Sequence, residues 1–402
     1  MRTTRKKIPA NEKLNKIAIF IMLIAGGFLL GINYPKLLDL PKTLAQRRFL
    51  FEEIDARELD KRLANKDFKL INVHTPYEGE IAHTDGFIAY DEMKANEAAL
   101  PKDKSTPIIL YCKTGRMSGE AVQTLKSMGY TNVTHLKGGM DEWRAAGLTV
   151  LDLANLPNEV LPQGGFELPI SWGDIGPRLI ALGVIDRGKF EKAATMSDED
   201  KAVLNGTDSK IKINAQNSQF VVDILWALGL AQKSIAYEEG PMGKEYKKDV
   251  VNFASTAGWT LARGEAMNYY NKFDLIDLSE EEHKRVMEIA SNVYRPCCGN
   301  HTAFPDCNHG MAALAAIELM VDAGMSDDEI YKNVLKLNSY WFGSTYLTTA
   351  TYFARQGISW DKVDAKEVLG ISYSSAQGTQ SVYTKVGALP YEQKSGGGGC
   401  GA

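Results

Sequence analysis

Tyr111-Cys112-Lys113-Thr114-Gly115-Arg116-Met117-Ser118 is the stretch on which the reading of this chain turns. Before it, Pro107 to Tyr111 (PIILY) is a short apolar run with the composition of a buried strand. After it, Ser118 to Met128 (SGEAVQTLKSM) places Ala121, Val122, Leu125 and Met128 on one helical face. The break between them is a glycine-containing turn headed by a cysteine. A strand that ends in such a loop and feeds a helix aims successive backbone N–H groups at one spot, and the positive end of the helix dipole adds to them. Both favour a sulfur anion there, which is the reactive form of a thiol. Cys112 is therefore a candidate nucleophile, with Lys113, Thr114, Gly115, Met117 and Ser118 as its loop. Arg116 is the candidate for stabilising charge on the sulfur. Cysteine-dependent phosphatases and arsenate reductases need Cys, five residues, then Arg, so that a guanidinium forks onto an oxyanion. Here that position is Ser118, which argues against them. The bland alternative is an inert core cysteine at a strand end.

Two flanking stretches extend the pattern: INVHTPYEGEIAHTDGFI at 71–88 and HLKGGMDEWRAAG at 135–147. With the CKTGRMS loop they resemble the rhodanese-like sulfurtransferases over residues 50–150. The resemblance implies an α/β domain, a parallel sheet flanked by helices. It also implies Cys112 as a sulfur acceptor that cycles between thiol and persulfide, with no cofactor required for the transfer. The implied partners are a sulfane-sulfur donor (thiosulfate, a polysulfide or a persulfide) and a thiol acceptor. The chain departs from the usual family pattern at Asn72, His74 and Met117, where Asp, Arg and Arg are common. His74, His83 and His135 read as surface or strand-end histidines.

The opening segment has a different character. Residues 2–16 carry six basic side chains against Glu12 alone, and residues 17–32 (IAIFIMLIAGGFLLGI) then run without a charge. That run suits a signal anchor better than a cleaved signal peptide, because no small-residue cleavage site follows it. The charge bias predicts a single-pass protein of the cell membrane, with a cytoplasmic N-terminus and the main domains outside. The rest of the chain is compositionally ordinary. Of 402 residues, 46 are Lys or Arg and 50 are Asp or Glu, a net charge of −4, so no bulk basic surface points to nucleic acid.

The predicted order is an anchor at 1–34, a connector at 35–49, the rhodanese-like domain at 50–150 and a Pro- and Gly-rich linker at 151–168. A mainly α-helical domain at 169–375 and a flexible Gly-rich tail at 376–402 complete it. Within the helical domain, Ser218 to Ser234 is apolar almost all round, which signals a buried helix. Ser279 with Glu282, and Ser326 with Glu329, are capping-box patterns. Lys244 to Phe273 has room for one long helix or two.

A second informative stretch lies in that domain. Cys297, Cys298, His301, Cys307 and His309 fall within thirteen residues, in a chain with five cysteines and six histidines altogether. Chance clustering explains this poorly. Three explanations compete: a Zn²⁺ or Cu(I) site, a disulfide to Cys307, or a relay that takes sulfur from Cys112. Pro305 and Asp306 turn the chain into an apolar helix, whose N-terminus then carries Cys307 and His309. The tail ends in four glycines, Cys400, Gly and Ala, so Cys400 is a candidate swinging thiol. The leading expectation is a membrane-anchored, exported sulfurtransferase that works through a Cys112 persulfide. The alternative is a metal-handling protein built on the 297–309 cluster, with a catalytically silent rhodanese-like module.

Overall fold

The computed structural model describes residues 53–389. The anchor expected at 1–34, the connector and Cys400 lie outside these residues. Among the described residues no helix is long and apolar enough to cross a membrane.

The first part of the chain alternates strands and helices. Strands β1 (Glu53–Ile54), β2 (Lys69–Asn72), β4 (Gly86–Phe87), β5 (Ile108–Tyr111) and β6 (Val133–Leu136) form a five-stranded sheet in the order β1-β6-β5-β2-β4. Every pairing in it is parallel. β5 lies at its centre with all four residues buried, as a strand covered on both faces must be. Helices α1 (Ala56–Leu63), α2 (Arg116–Ser127) and α3 (Gly139–Ala145) flank the sheet. Leu59 of α1 and Met140 and Trp143 of α3 share one core with Leu70, Ile109 and Tyr111 from the strands. Outside the sheet, β3 (Glu80–Ile81) pairs antiparallel with β7 (Val150–Leu151).

The stretch expected to be a linker at 151–168 is structured. Leu156–Val160 is a short helix, and Phe166 starts strand β8 (Phe166–Gly173), which pairs antiparallel with β9 (Thr207–Ile213). Its prolines and glycines serve turns within the fold: Gly165 has φ +77° and its N–H donates to the Pro162 carbonyl. The remainder is helical. Helix α4 (Ser218–Ala231) is buried on every face, as its uniform apolarity requires. It packs with α6 (Asn308–Asp322), while α5 (Glu280–Ser291) and α7 (Asp327–Trp341) also lie against α6. Both expected capping boxes are formed, at Ser279 with Glu282 and at Ser326 with Glu329. Lys244 to Phe273, by contrast, holds only single turns, at Val250–Asn252, Ala254–Ala257 and Ala266–Asn268. Gly258, Gly264 and the β-branched pair Val250 and Val251 weaken helix continuation there. The segment instead docks through Trp259, whose Nε1 donates to the Val184 carbonyl at 2.9 Å.

The tail also differs from expectation, because Ala376–Val386 is a helix, capped by the Ser375 side chain. It packs on α8 (Gly343–Arg355), and the last residue of α8 ties three parts of the molecule together. Arg355 reaches Glu80 through Nε at 2.7 Å and Nη2 at 2.9 Å, and its Nη1 donates to the Val386 carbonyl at 2.7 Å. Both partners are buried, with side-chain exposures of 3% and 0%. The next residue, Ile81, donates its N–H to the Tyr111 hydroxyl at 3.1 Å. The helical region therefore grips the strand that leads into Cys112.

Two predictions follow from buried charge. Replacing Glu80 by Ala strands the Arg355 guanidinium in the interior and should lower stability by about 3–5 kcal/mol. Denaturant unfolding of the parent and variant would measure this, and a change below about 1 kcal/mol would show that the pair does not hold the two regions together. Glu318 on α6 is fully buried, and burial pushes its carboxyl up to about 8, with Ser234 offsetting part of that rise. Between pH 4.5 and about 8 the folded chain keeps this proton while the unfolded chain releases it, so stability falls as pH rises through that window. Glu318→Gln should remove that loss, a relative gain of roughly 3–5 kcal/mol at pH 8 over pH 4.5. Unfolding curves at the two pH values test it, and parallel pH dependence in both proteins would refute it.

Candidate functional site

Cys112 follows β5 directly, at the carboxyl end of the central strand, the end where open parallel sheets place their sites. Its loop is shaped from behind. The Met140 N–H donates to the Cys112 carbonyl at 2.8 Å, and the Asp141 N–H donates to the Lys113 carbonyl at 2.9 Å. These are free donors of the first turn of α3. Such an approach leaves no room for a side chain at Gly139, where a Cβ would sit 2.2 Å from the Cys112 oxygen and 2.5 Å from the Lys113 oxygen. With these carbonyls held against α3, the later amides of the loop turn inward. Gly115 adopts φ +89°, and its N–H points at Cys112 Sγ from 3.1 Å. The Ser118 N–H points at the same sulfur from 3.4 Å, and Ser118 Oγ lies 3.5 Å away. Arg116 opens α2, so the positive end of a 12-residue helix also faces the sulfur.

Behind Ser118 stands His135. Its Nδ1 is 3.1 Å from Ser118 Oγ, and its Nε2 is 3.8 Å from a Glu53 carboxylate oxygen. Burial pushes the imidazole below its usual range, and Glu53 offsets part of that shift. His135 is thus a buried member of the site rather than the surface or strand-end residue expected. Both it and Gly139 belong to the quoted HLKGG stretch; a polar side chain inside a strand and paired glycines at its end were the signals that could have marked them.

Arg116 is placed differently from the expectation. Its guanidinium is exposed, pairs with Glu120 at 2.6 Å and lies over the Tyr90 ring, 5.7 Å from the centroid. The i, i+4 spacing on α2 brings Glu120 within reach and draws the side chain along the helix. Lys113 likewise pairs with Glu78 at 2.6 Å, and Glu78 lies 3.6 Å from His74 Nε2. Thr114 is exposed and Met117 half-buried at the mouth of the loop.

In the second cluster the structure brings together three of the five expected ligands. The sulfurs of Cys297, Cys298 and Cys307 all lie within 4.8 Å of one another, with Cys297 and Cys307 at 3.6 Å. Cys307 caps α6 and accepts the Gly310 N–H at 3.4 Å. Sulfur–sulfur hydrogen bonds with Cys297 and Cys298 hold the Cys307 thiol well below its usual range, while hydrogen bonds with Cys298 and then Cys307 push Cys297 up. The two histidines are not in the group. His309 is buried with its ring against Trp341 and Phe342, and burial pushes it down to about 4. His301 lies edge-on to Tyr294, its ring centroid 5.9 Å from that of the tyrosine.

Comparison with known proteins covers the part of the chain that holds Cys112. The family model for the rhodanese-like domain matches residues 55–146. An uncharacterized Synechocystis protein is 31% identical over 94 residues, 23% of this chain and 52% of that protein. The probable adenylyltransferase/sulfurtransferase MoeZ of Mycobacterium tuberculosis is 37% identical over 95 residues, 22% of this chain and 24% of its own length. The match thus spans about half of the first relative and a quarter of the second. A sulfurtransferase of Allochromatium vinosum is 32% identical over 110 residues, 25% of this chain and 96% of that protein. With the family model and a relative matched over nearly its whole length, the chain belongs, through residues 55–146, to the rhodanese-like family.

Proposed function

We propose that this protein is a sulfurtransferase in which Cys112 carries sulfane sulfur as a persulfide. The observation that carries the reading is the convergence of the Gly115 and Ser118 N–H groups on a single sulfur, at 3.1 and 3.4 Å. Donors fixed before reaction stabilise a sulfur anion without reorganising. The Cys112 thiolate attacks the outer sulfur of thiosulfate; a new S–S bond forms, the old one breaks, and sulfite leaves with its electron pair. The terminal persulfide sulfur carries the negative charge into the amide cradle. An acceptor thiolate then attacks that sulfur, becomes a persulfide itself and returns Cys112 as thiolate, closing a ping-pong cycle. Ser118 positions the sulfur and is itself positioned by His135. Lys113 and Arg116, at the rim, supply positive charge toward an anionic donor, although Glu78 and Glu120 compensate both. No cofactor enters the cycle. The cationic segment and charge-free run at 2–32 support anchoring in the cell membrane with residues 53–389 outside.

The full chain, reduced and incubated with thiosulfate, should gain the mass of one sulfur atom on Cys112, and Cys112→Ser should gain none. Absence of added sulfur from both thiosulfate and a polysulfide would refute the enzyme reading. Further sulfur on Cys400 or on the 297–307 cysteines, present only when Cys112 is intact, would extend the cycle to a relay. Gly139→Ala should push the loop carbonyls off α3 and turn its amides away from the sulfur. Even a loss of roughly 1.4 kcal/mol of anion stabilisation slows loading by about tenfold. Stopped-time mass measurements would follow it, and parental rates in a folded Gly139→Ala protein would show that the close approach does not shape the loop.

A further inference from the structure

We propose that Cys297, Cys298 and Cys307 form a three-coordinate, all-thiolate site for a single Cu(I) ion, independent of sulfur transfer at Cys112. The three sulfurs lie within 4.8 Å of one another, with Cys297 and Cys307 3.6 Å apart. Three sulfurs around one ion at metal–sulfur distances of roughly 2.3 Å stand about 4 Å apart, so small side-chain rotations complete the site. The pair is well outside the roughly 2.05 Å of a disulfide bond.

The donor set selects the ion. All-sulfur sets favour soft cations. A structural Zn²⁺ site takes four protein ligands, and among the described residues the group holds three. The nearby imidazoles are not part of this group: His309 packs against Trp341 and Phe342, and His301 packs against Tyr294. The nearby carboxylate, Asp306, is occupied by Arg295 at 2.7 Å and by Asn300 at 2.9 Å. Cu(I), a closed-shell ion with no need of a fourth ligand, is satisfied by three thiolates.

The surroundings are arranged for the negative charge of such a complex. Arg295 is fully buried, an expensive position for a guanidinium. Its Nη2 donates to Cys298 Sγ at 3.3 Å, while its Nε and Nη1 have no hydrogen-bond partner. Gly310 makes the space for it: a Cβ there would sit 2.9 Å from the guanidinium carbon. The first turn of the 15-residue helix α6 supplies the Gly310 N–H to Cys307. Access is also provided, because Cys297 is exposed, Cys298 half-buried and Cys307 buried. An ion can be delivered at Cys297 and drawn inward.

The test is anaerobic titration of the full, reduced chain with Cu(I) against bicinchoninate as competing chelator, with X-ray absorption on the loaded protein. The expected result is one Cu(I) per chain with a shell of three sulfurs. Cys297→Ser and Cys298→Ser should each lower the affinity at least about tenfold, the cost of losing one ligand. Cys112→Ser and Cys400→Ser should load as the parent does. Cys297 is exposed, so its replacement leaves the fold intact, which circular dichroism verifies. The proposal is overturned by undiminished loading in Cys297→Ser, by loss of loading in Cys400→Ser, or by a shell with fewer than three sulfurs. Preference for Zn²⁺ in the same competition, or a cysteine pair in this cluster that reductant does not release as thiols, overturns it equally.

Discussion

The approach of α3 to the Cys112 loop is the constraint on which the candidate site depends. Two backbone carbonyls accept hydrogen bonds from the first turn of that helix, at a distance that only a glycine at 139 allows. A loop between a strand and a helix could turn either its carbonyls or its amides toward the cysteine. Committing the Cys112 and Lys113 carbonyls to α3 leaves the amides of Gly115 and Ser118 for the sulfur. The chemistry therefore rests on a helix that contributes no side chain to the reacting atoms.

A second constraint comes from outside the α/β part. The Glu80 carboxylate, near the sheet, is paired in the interior with Arg355 from the helical region. Tyr111, the residue before Cys112, receives the Ile81 N–H and has its hydroxyl 2.6 Å from Thr84 Oγ1. Charge pairing, a backbone donor and a phenol thus run continuously from α8 to the end of β5. A buried pair of this kind contributes little net stability over an apolar contact but tolerates the loss of neither partner. That makes the junction specific.

Two sulfur sites in this chain use the same physical device to different ends. Cys112 and Cys307 both stand at the positive end of a helix and both accept a backbone N–H three residues ahead. What differs is their company. Cys112 is a single sulfur among amides and a hydroxyl, an arrangement suited to carrying one more sulfur atom as an anion. Cys307 is one of three sulfurs beside a buried guanidinium, an arrangement suited to surrounding a cation.

Much of this is legible in the sequence. The apolar run PIILY, the glycine turn and the periodic helix that follows are local signals, and local backbone preference with a buried face suffices to read them. The same holds for the two capping boxes and for the all-apolar α4. Contacts between residues far apart in the chain were not legible. Nothing local distinguishes Arg355 from a surface arginine, since its burial depends on Glu80, 275 residues away. Arg116 looked like a partner of the sulfur, yet the Glu120 carboxylate one helical turn on holds it. The 297–309 motif announced soft ligands but not which of them meet: the three sulfurs come together and the two imidazoles pack against aromatic rings instead. The sequence by itself determined the elements and the reactive residue types. The tertiary structure alone decided which side chains share a site, because that depends on distances closed by packing rather than on spacing along the chain.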